Sequence, residues 1–198
     1  AVKVLVTAGP TQESIDPVRY ITNHSSGKMG YALAEVCAER GAEVTLVSGP
    51  VSLQVHHPNI HRINVESAEE MYQAATAAYA DADAGSLCCR ADFTPECTAD
   101  HKIKREKEDL VLRLKPTHDI AAALGKSKRE NQRLVGFALE TNDEVAHAQD
   151  KLARKNLDFI VLNSLNDKGA GFRCDTNKIT IIDRQNASTY PLKSKKEV

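Results

Sequence analysis

The feature that most constrains this chain lies in its first fifty residues. Val2–Thr7 is a short apolar run stopped by Ala8-Gly9-Pro10-Thr11. Lys28–Arg40 carries apolar residues at helical spacing and ends at Gly41, the residue type that suits the left-handed position past a helix. Glu43–Val47 is again a strand-like run, closed by Ser48-Gly49-Pro50. Strand, long loop, helix, strand is a βαβ unit. Its crossover helix makes the two strands parallel, because a tight turn can join only antiparallel ones.

The alternation continues to the end of the chain. His61–Val65 reads as a strand, and Ser67 with Glu70 three residues on is a capping box for a helix to about Ala80. A short strand is expected at Ala84–Cys89, then an irregular polar stretch over Asp92–Asp109. Leu110–Leu114 alternates like a strand, and Thr117–Leu124 reads as a short helix. Leu134–Ala138 and Asp158–Leu162 are strands flanking a helix over Glu144–Lys155. Lys178–Ile182 and Thr189–Leu192 predict a hairpin. The expected fold is α/β: a Rossmann-like doubly wound, mostly parallel sheet with additional C-terminal β hairpin structure. In such sheets ligands bind outside the carboxyl ends of the strands, where the strand order reverses. The loops after Thr7, Cys89, Ala138 and Leu162 are therefore the ones to inspect.

Length and composition limit the function classes. At 198 residues the expectation is one domain spanning 1–198. Lys and Arg number 26 against 27 acids, so the chain has no global attraction for nucleic acid or anionic lipid. Few aromatics give the same answer for a nucleic-acid groove. No run of eighteen apolar residues is present to cross a membrane, and Ala1–Val6 reads as a strand where a leader would stand. The five cysteines, Cys37, Cys88, Cys89, Cys97 and Cys174, include no C-x-x-C pair, which argues against zinc and against a disulfide framework and for a cytoplasmic home. The seven histidines show no metal spacing, and neither a nucleophile elbow nor a Walker loop occurs.

Three segments can carry chemistry. The loop Gly9–Gly30 is long for a compact domain and ends in Asn23-His24-Ser25-Ser26-Gly27, with Ser26 the expected N-cap. A helix start presents free N–H groups and a positive dipole to an anion, and Gly30 one turn in lets the helix approach the sheet. The dinucleotide pattern G-x-G-x-x-G is missing after the strand, which weakens the alternative of an NAD(P)-dependent oxidoreductase. Lys102-Ile103-Lys104-Arg105-Glu106-Lys107 puts four cations in six residues; on composition alone it is a solvated surface or a flap over 102–109. Lys151 and Lys155 share a helix face at i, i+4, which by itself means only solubility.

Thr7-Ala8-Gly9-Pro10-Thr11, with Asp16-Pro17-Val18-Arg19-Tyr20-Ile21-Thr22-Asn23-His24-Ser25-Ser26-Gly27-Lys28-Met29-Gly30, closely resembles the phosphopantothenoylcysteine synthetase family. Ala91-Asp92-Phe93, Lys102-Ile103-Lys104, Asp119-Ile120, Gly136–Asn142 and Lys155-Asn156-Leu157-Asp158 extend the resemblance in order along nearly the whole chain. The resemblance implies a two-step amide ligase. The carboxylate of 4′-phosphopantothenate is activated on the α-phosphate of CTP as an acyl-cytidylate, with release of pyrophosphate. The amine of cysteine then displaces CMP. It also implies Mg2+ on the triphosphate, a homodimer served by the C-terminal β structure, and a decarboxylase domain elsewhere in a full-length chain. No flavin is expected on this segment.

Residue by residue, the resemblance puts the essential asparagine on Asn23 and the catalytic lysine on Lys102. CTP contacts fall on Cys88, Asp92, Lys102, Thr117, His118, Asp119, Ile120, Phe137, Lys151 and Lys155. Ser25, Ser26 and Gly27, with Asn23, are assigned to the phosphopantothenate. One departure stands out: Gly85-Ser86-Leu87-Cys88-Cys89-Arg90 replaces a small, apolar Ala-Ala-Val-type strand end, and an arginine buried there requires a partner. The remaining alternative is a non-catalytic nucleotide-binding module, in which Asn23 and Lys102 need no roles.

Overall fold

A computed structural model describes residues 1–88, 90–140, 144–164 and 176–197. Cys89, Thr141, Asn142 and Cys174, named above, lie outside the described residues. The chain runs β1 (Lys3–Ala8), β2 (Glu13–Ser14), β3 (Tyr20–Ile21), α1 (Lys28–Glu39), β4 (Glu43–Ser48), β5 (Ile60–Asn64), α2 (Ala68–Tyr79) and β6 (Ala84–Leu87). It continues β7 (Phe93–Pro95), β8 (Leu114–Pro116), α3 (Ile120–Ser127), β9 (Arg133–Glu140), α4 (Glu144–Arg154), β10 (Phe159–Ser164), β11 (Thr176–Ile182) and β12 (Ala187–Ser194).

Eight strands form one sheet in the order β12-β11-β10-β9-β6-β1-β4-β5. The six from β10 to β5 are parallel, and β11 and β12 add the expected antiparallel hairpin at one edge. The chain leaves β1 towards β4 and β5, then returns to β6 on the other side of β1. The order therefore reverses between β1 and β6, and the loops leaving their carboxyl ends part around a crevice.

Successive strand residues point to opposite faces, so β1 feeds two apolar layers. Leu5 joins Met71, Tyr79, Leu134, Leu152 and Leu162 on the face carrying α2, α3 and α4. Val6 and Ala8 join Tyr31, Ala34, Ala38 and Leu46 beneath α1. Leu5, Val6 and Leu46 are fully buried, each burial being worth roughly 1.5–3 kcal/mol. Gly30 permits the close packing of α1 on β1: a Cβ there would lie 2.5 Å from the Ala8 Cβ.

The capping box forms as expected, with Ser67 Oγ accepting from the Glu70 N–H at 3.1 Å. Other boundaries moved. The N-cap of α1 is Gly27, not Ser26; its φ of 82° is left-handed, and glycine brings no side chain to cap the helix. That conformation brings the helix mouth against the first loop, where a Cβ on Gly27 would lie 3.4 Å from the Gly9 Cα. β6 ends at Leu87, short of Cys88 and Arg90. The strand expected over Leu110–Leu114 is instead Leu114–Pro116, paired antiparallel with Phe93–Pro95. Leu110, Val111 and Leu112 are apolar in sequence but pair with no strand among the described residues and stay exposed. α3 starts at Ile120, not Thr117, because Asp119 is its N-cap and accepts from the Ala122 N–H at 3.0 Å. Within the first loop, β2 and β3 form a two-residue ladder that periodicity did not reveal.

Candidate active site

A cleft of about 410 Å³ opens at the carboxyl ends of β1, β6 and β9. It gathers Asn23, Cys88, Asp92, Asp119, Ile120, Phe137, Lys151 and Lys155, eight residues singled out in the sequence. A hollow of about 380 Å³ at the opposite, amino ends of the strands, beside Lys3, Glu43 and Asn59, contains none of them.

Hydroxyl groups knit the cleft's walls together. Cys88 N–H donates to Thr7 Oγ1 at 3.0 Å, and Ala91 N–H donates to Thr11 Oγ1 at 3.0 Å. Thr22 Oγ1 donates to the Thr11 carbonyl at 2.8 Å, tying the approach to α1 into the same wall. Asn23 Oδ1 accepts from the Ser25 N–H at 2.9 Å. Ser25 Oγ and Ser26 Oγ accept from the N–H groups of Gly27 and Lys28, each at 3.3 Å. Ser25, Ser26 and Gly27 are thus nested turns at the mouth of α1, joined to the cleft through Asn23. Thr7 and Thr11 carry no sequence signal for this role; only the tertiary contact between two loops shows what their hydroxyls do.

The far wall comes from α3 and α4. Lys155 Nζ lies 2.8 Å from Asp119 Oδ2. Burial opposes ionisation of Asp119, but the Lys155 ammonium and the Ala122 N–H outweigh it and hold this carboxyl below its usual value. Lys151 lies one turn before Lys155 and lines the same cleft, with no ion pair among the described residues. Close packing sets this wall: a Cβ on Gly125 would lie 1.7 Å from the Lys155 carbonyl oxygen.

Arg90, the anomalous residue, has its partners. Its side chain is 17% exposed, and Nη1 donates to Thr117 Oγ1 at 2.7 Å and to the Ala91 carbonyl at 3.2 Å. Asp92 Oδ1 lies 3.4 Å away. Thr117 therefore serves as the anchor of this arginine. His118 contacts Glu69 at 2.5 Å and lies against the Tyr72 ring, so α2 holds it.

Lys102 does not line the cleft. It borders a separate hollow of about 660 Å³ with Arg19, Lys104 and Arg105. The base of this basic segment is fixed by Asp16, whose side chain is fully enclosed. Asp16 Oδ2 accepts from the Ile103 N–H at 3.0 Å, and Oδ1 accepts from the N–H groups of Val18 and Arg19 at 2.8 and 2.7 Å. The Ile103 N–H chiefly, with those two and the Arg19 charge, lowers the Asp16 carboxyl against the opposing effect of burial. Arg19 in turn donates to the Ile103 carbonyl. The contact of Asp16 with Ile103 spans 87 residues and has no signal in the sequence.

Two carboxylates, Asp92 and Asp119, line the cleft among the described residues, and no group of three metal-binding side chains occurs there.

Comparison with known proteins bears on the family and the fold. Residues 1–198 match the family described as DNA/pantothenate metabolism flavoprotein C-terminal domain. The chain is 56% identical to a protein named cysteine/cysteine sulfinic acid decarboxylase from an unknown prokaryotic organism, over 99% of this chain and 55% of that one. It is 48% identical to the coenzyme A biosynthesis bifunctional protein CoaBC of Bacillus subtilis, over 98% of this chain and 48% of that protein. The chain spans about half the length of the curated relatives it matches. The crystal structure of a CoaBC C-terminal domain superposes with a TM-score of 0.83 at 39% identity, covering 100% of this chain and 89% of the other. Family match, identity and fold coincide over the full length: this chain belongs to the DNA/pantothenate metabolism flavoprotein C-terminal domain family.

Proposed function

We propose that this domain is a CTP-dependent phosphopantothenate–cysteine ligase acting in coenzyme A biosynthesis. The observation that carries the reading is the cleft itself. Asn23 at the mouth of α1 and the Lys151 and Lys155 cations share one crevice at the point where the strand order reverses. The relatives named as coenzyme A biosynthesis proteins support the choice of substrate.

In this reading a carboxylate oxygen of 4′-phosphopantothenate attacks the α-phosphorus of CTP and pyrophosphate leaves. The cysteine amine then attacks the acyl carbon, loses a proton, and CMP leaves. A carboxylate is a poor acyl donor until its oxygen becomes part of a phosphate leaving group. The protein's task is to fix both reactants and to hold cations where oxygens gain charge. Lys151 and Lys155 face the nucleotide phosphates, with Asp119 orienting Lys155. Phe137 and Ile120 border the nucleotide. The α1 mouth, Ser25 to Gly27, holds the phosphate of phosphopantothenate, and Asn23 holds the acyl-cytidylate for cysteine. Residues 102–109 are a flap hinged at Ile103, and its closure brings Lys102 to the intermediate.

Asp92, mostly exposed, is the residue fitted to hold a magnesium ion that arrives with the triphosphate. Such an ion supplies charge neutralisation at the phosphates. The active form is a homodimer, with the exposed Phe93, Val111 and Leu114 among the apolar side chains available to a second copy. A decarboxylase domain accompanies it in the full-length chain, in the cytoplasm. No helix among the described residues is long and apolar enough to cross a membrane.

Incubation with CTP, phosphopantothenate, cysteine and magnesium should release pyrophosphate and CMP in equal amounts. Amide formation that does not depend on CTP, or no turnover at all, overturns the reading.

A further inference from the structure

Five charged side chains line the cleft among the described residues: the cations Arg90, Lys151 and Lys155, and the acids Asp92 and Asp119. Lys155 is already matched to Asp119. Arg90 is the most enclosed of these charges for which exposure is known, and its anchorage is one-sided. Nη1 alone makes the contacts to Thr117, Ala91 and Asp92; Nε and Nη2 donate to no described residue. A guanidinium carries five N–H donors, of which Nη1 accounts for two. Leaving the other three without acceptors in a partly closed cleft is costly, and their planar fork matches the oxygens of a phosphate.

We propose that Arg90 is a phosphate-recognition residue of this cleft, receiving the anionic chain of a nucleoside triphosphate on the guanidinium nitrogens that Thr117 and Asp92 leave unused. The inference rests on the CTP-binding reading above and deepens it. Thr117 acts as the latch that holds the guanidinium in place. The charge arithmetic points the same way. Three cations against two acids make the described lining net positive by one, and removing Arg90 brings it to zero. A triphosphate presents more anionic oxygens than a monophosphate, so the loss should fall mainly on CTP and little on CMP.

The test is a calorimetric titration of the protein with CTP and with CMP, magnesium present and phosphopantothenate and cysteine omitted so that no turnover occurs. Arg90→Gln removes the charge but keeps a donor for Thr117; Arg90→Lys restores charge without the fork. Thermal unfolding of each variant controls for folding. The expected result is CTP binding weakened about tenfold in Arg90→Gln, CMP binding changed less than about threefold, and partial recovery in Arg90→Lys. If Arg90→Gln does not fold, the parent and Arg90→Lys are compared, with a CTP-selective loss expected in the lysine variant. Equal losses for the two nucleotides, or none, would make Arg90 a structural latch only and overturn the inference. A parent that binds neither nucleotide overturns the CTP reading as well. A parent that binds CTP with an Arg90-independent preference overturns this inference alone.

Discussion

Lys155 Nζ stands 2.8 Å from Asp119 Oδ2, joining the residue that follows α4 to the residue that precedes α3. The other oxygen of Asp119 caps α3 through the Ala122 N–H. One carboxylate thus fixes a helix start and aims a lysine of the cleft, and this double use makes it a sensitive point for stability and chemistry alike.

Asp119→Ala removes the cap and should cost about 1 kcal/mol in urea unfolding at neutral pH. The folded carboxyl ionises below its ordinary value of 3.8, so its contribution is complete above that value and disappears as pH falls through the lower, folded one. Asp119→Asn keeps an acceptor for Ala122 but loses the charge. Its stability gap from the parent should close as the pH is taken below about 3.8; a gap that widens on acidification contradicts the assignment.

Asn23→Asp tests the second chemical step. Asp keeps the oxygen that accepts from the Ser25 N–H, so the turn at the mouth of α1 survives. The added negative charge faces a phosphate-rich intermediate. Acyl-cytidylate should still form while amide production falls by about two orders of magnitude. Rapid-quench separation of the intermediate reads both quantities, and a variant completing the amide at the parent rate contradicts the role given to Asn23.

Asp16→Asn tests the hinge of the basic segment. The carboxylate accepts three backbone N–H groups, from Val18, Arg19 and Ile103, and faces the Arg19 guanidinium. An amide cannot accept as strongly at both positions. Hydrogen exchange over 101–107 should quicken while that of β1 and β4 stays unchanged, and kcat should fall more than the affinity for CTP. Unaltered exchange at Ile103 would show that Asp16 does not hold this segment.

Gly30→Ala probes the approach of α1 to β1. The new methyl would fall 2.5 Å from the Ala8 Cβ and 3.3 Å from the Thr7 carbonyl oxygen, both on a central strand with little room to yield. Destabilisation of about 1–3 kcal/mol is expected from overpacking. Because the shift is transmitted to the mouth of α1, phosphopantothenate affinity should fall as well. A midpoint of thermal unfolding equal to that of the parent would contradict the close approach.

Much of this molecule was legible in its amino acids. The alternation of apolar runs and helical periods determined a doubly wound parallel sheet, because a strand buried on both faces and a helix buried on one leave different spacings. Ser67 with Glu70 marked a helix start, since capping is satisfied within four residues. Gly41 marked a helix end for the same local reason, and takes a φ of 96°. The i, i+4 spacing of the lysines at 151 and 155 announced a shared face, and both line the cleft.

The tertiary structure alone decided what depends on partners distant in sequence. Leu110 to Leu112 are apolar as a strand's residues would be, but a strand needs a neighbour, and Phe93–Pro95 pairs with Leu114–Pro116 instead. Arg90 looked like an unpaired charge until Thr117 was brought within 2.7 Å of it. Lys102 sits beside Arg19 and away from the cleft because the Asp16 carboxylate holds the Ile103 N–H across 87 residues. Local hydrogen bonding and periodicity act over a turn or two and are written in the order of the residues. Ion pairs and ladders between loops follow from where the sheet carries the chain, and only the assembled fold sets those distances.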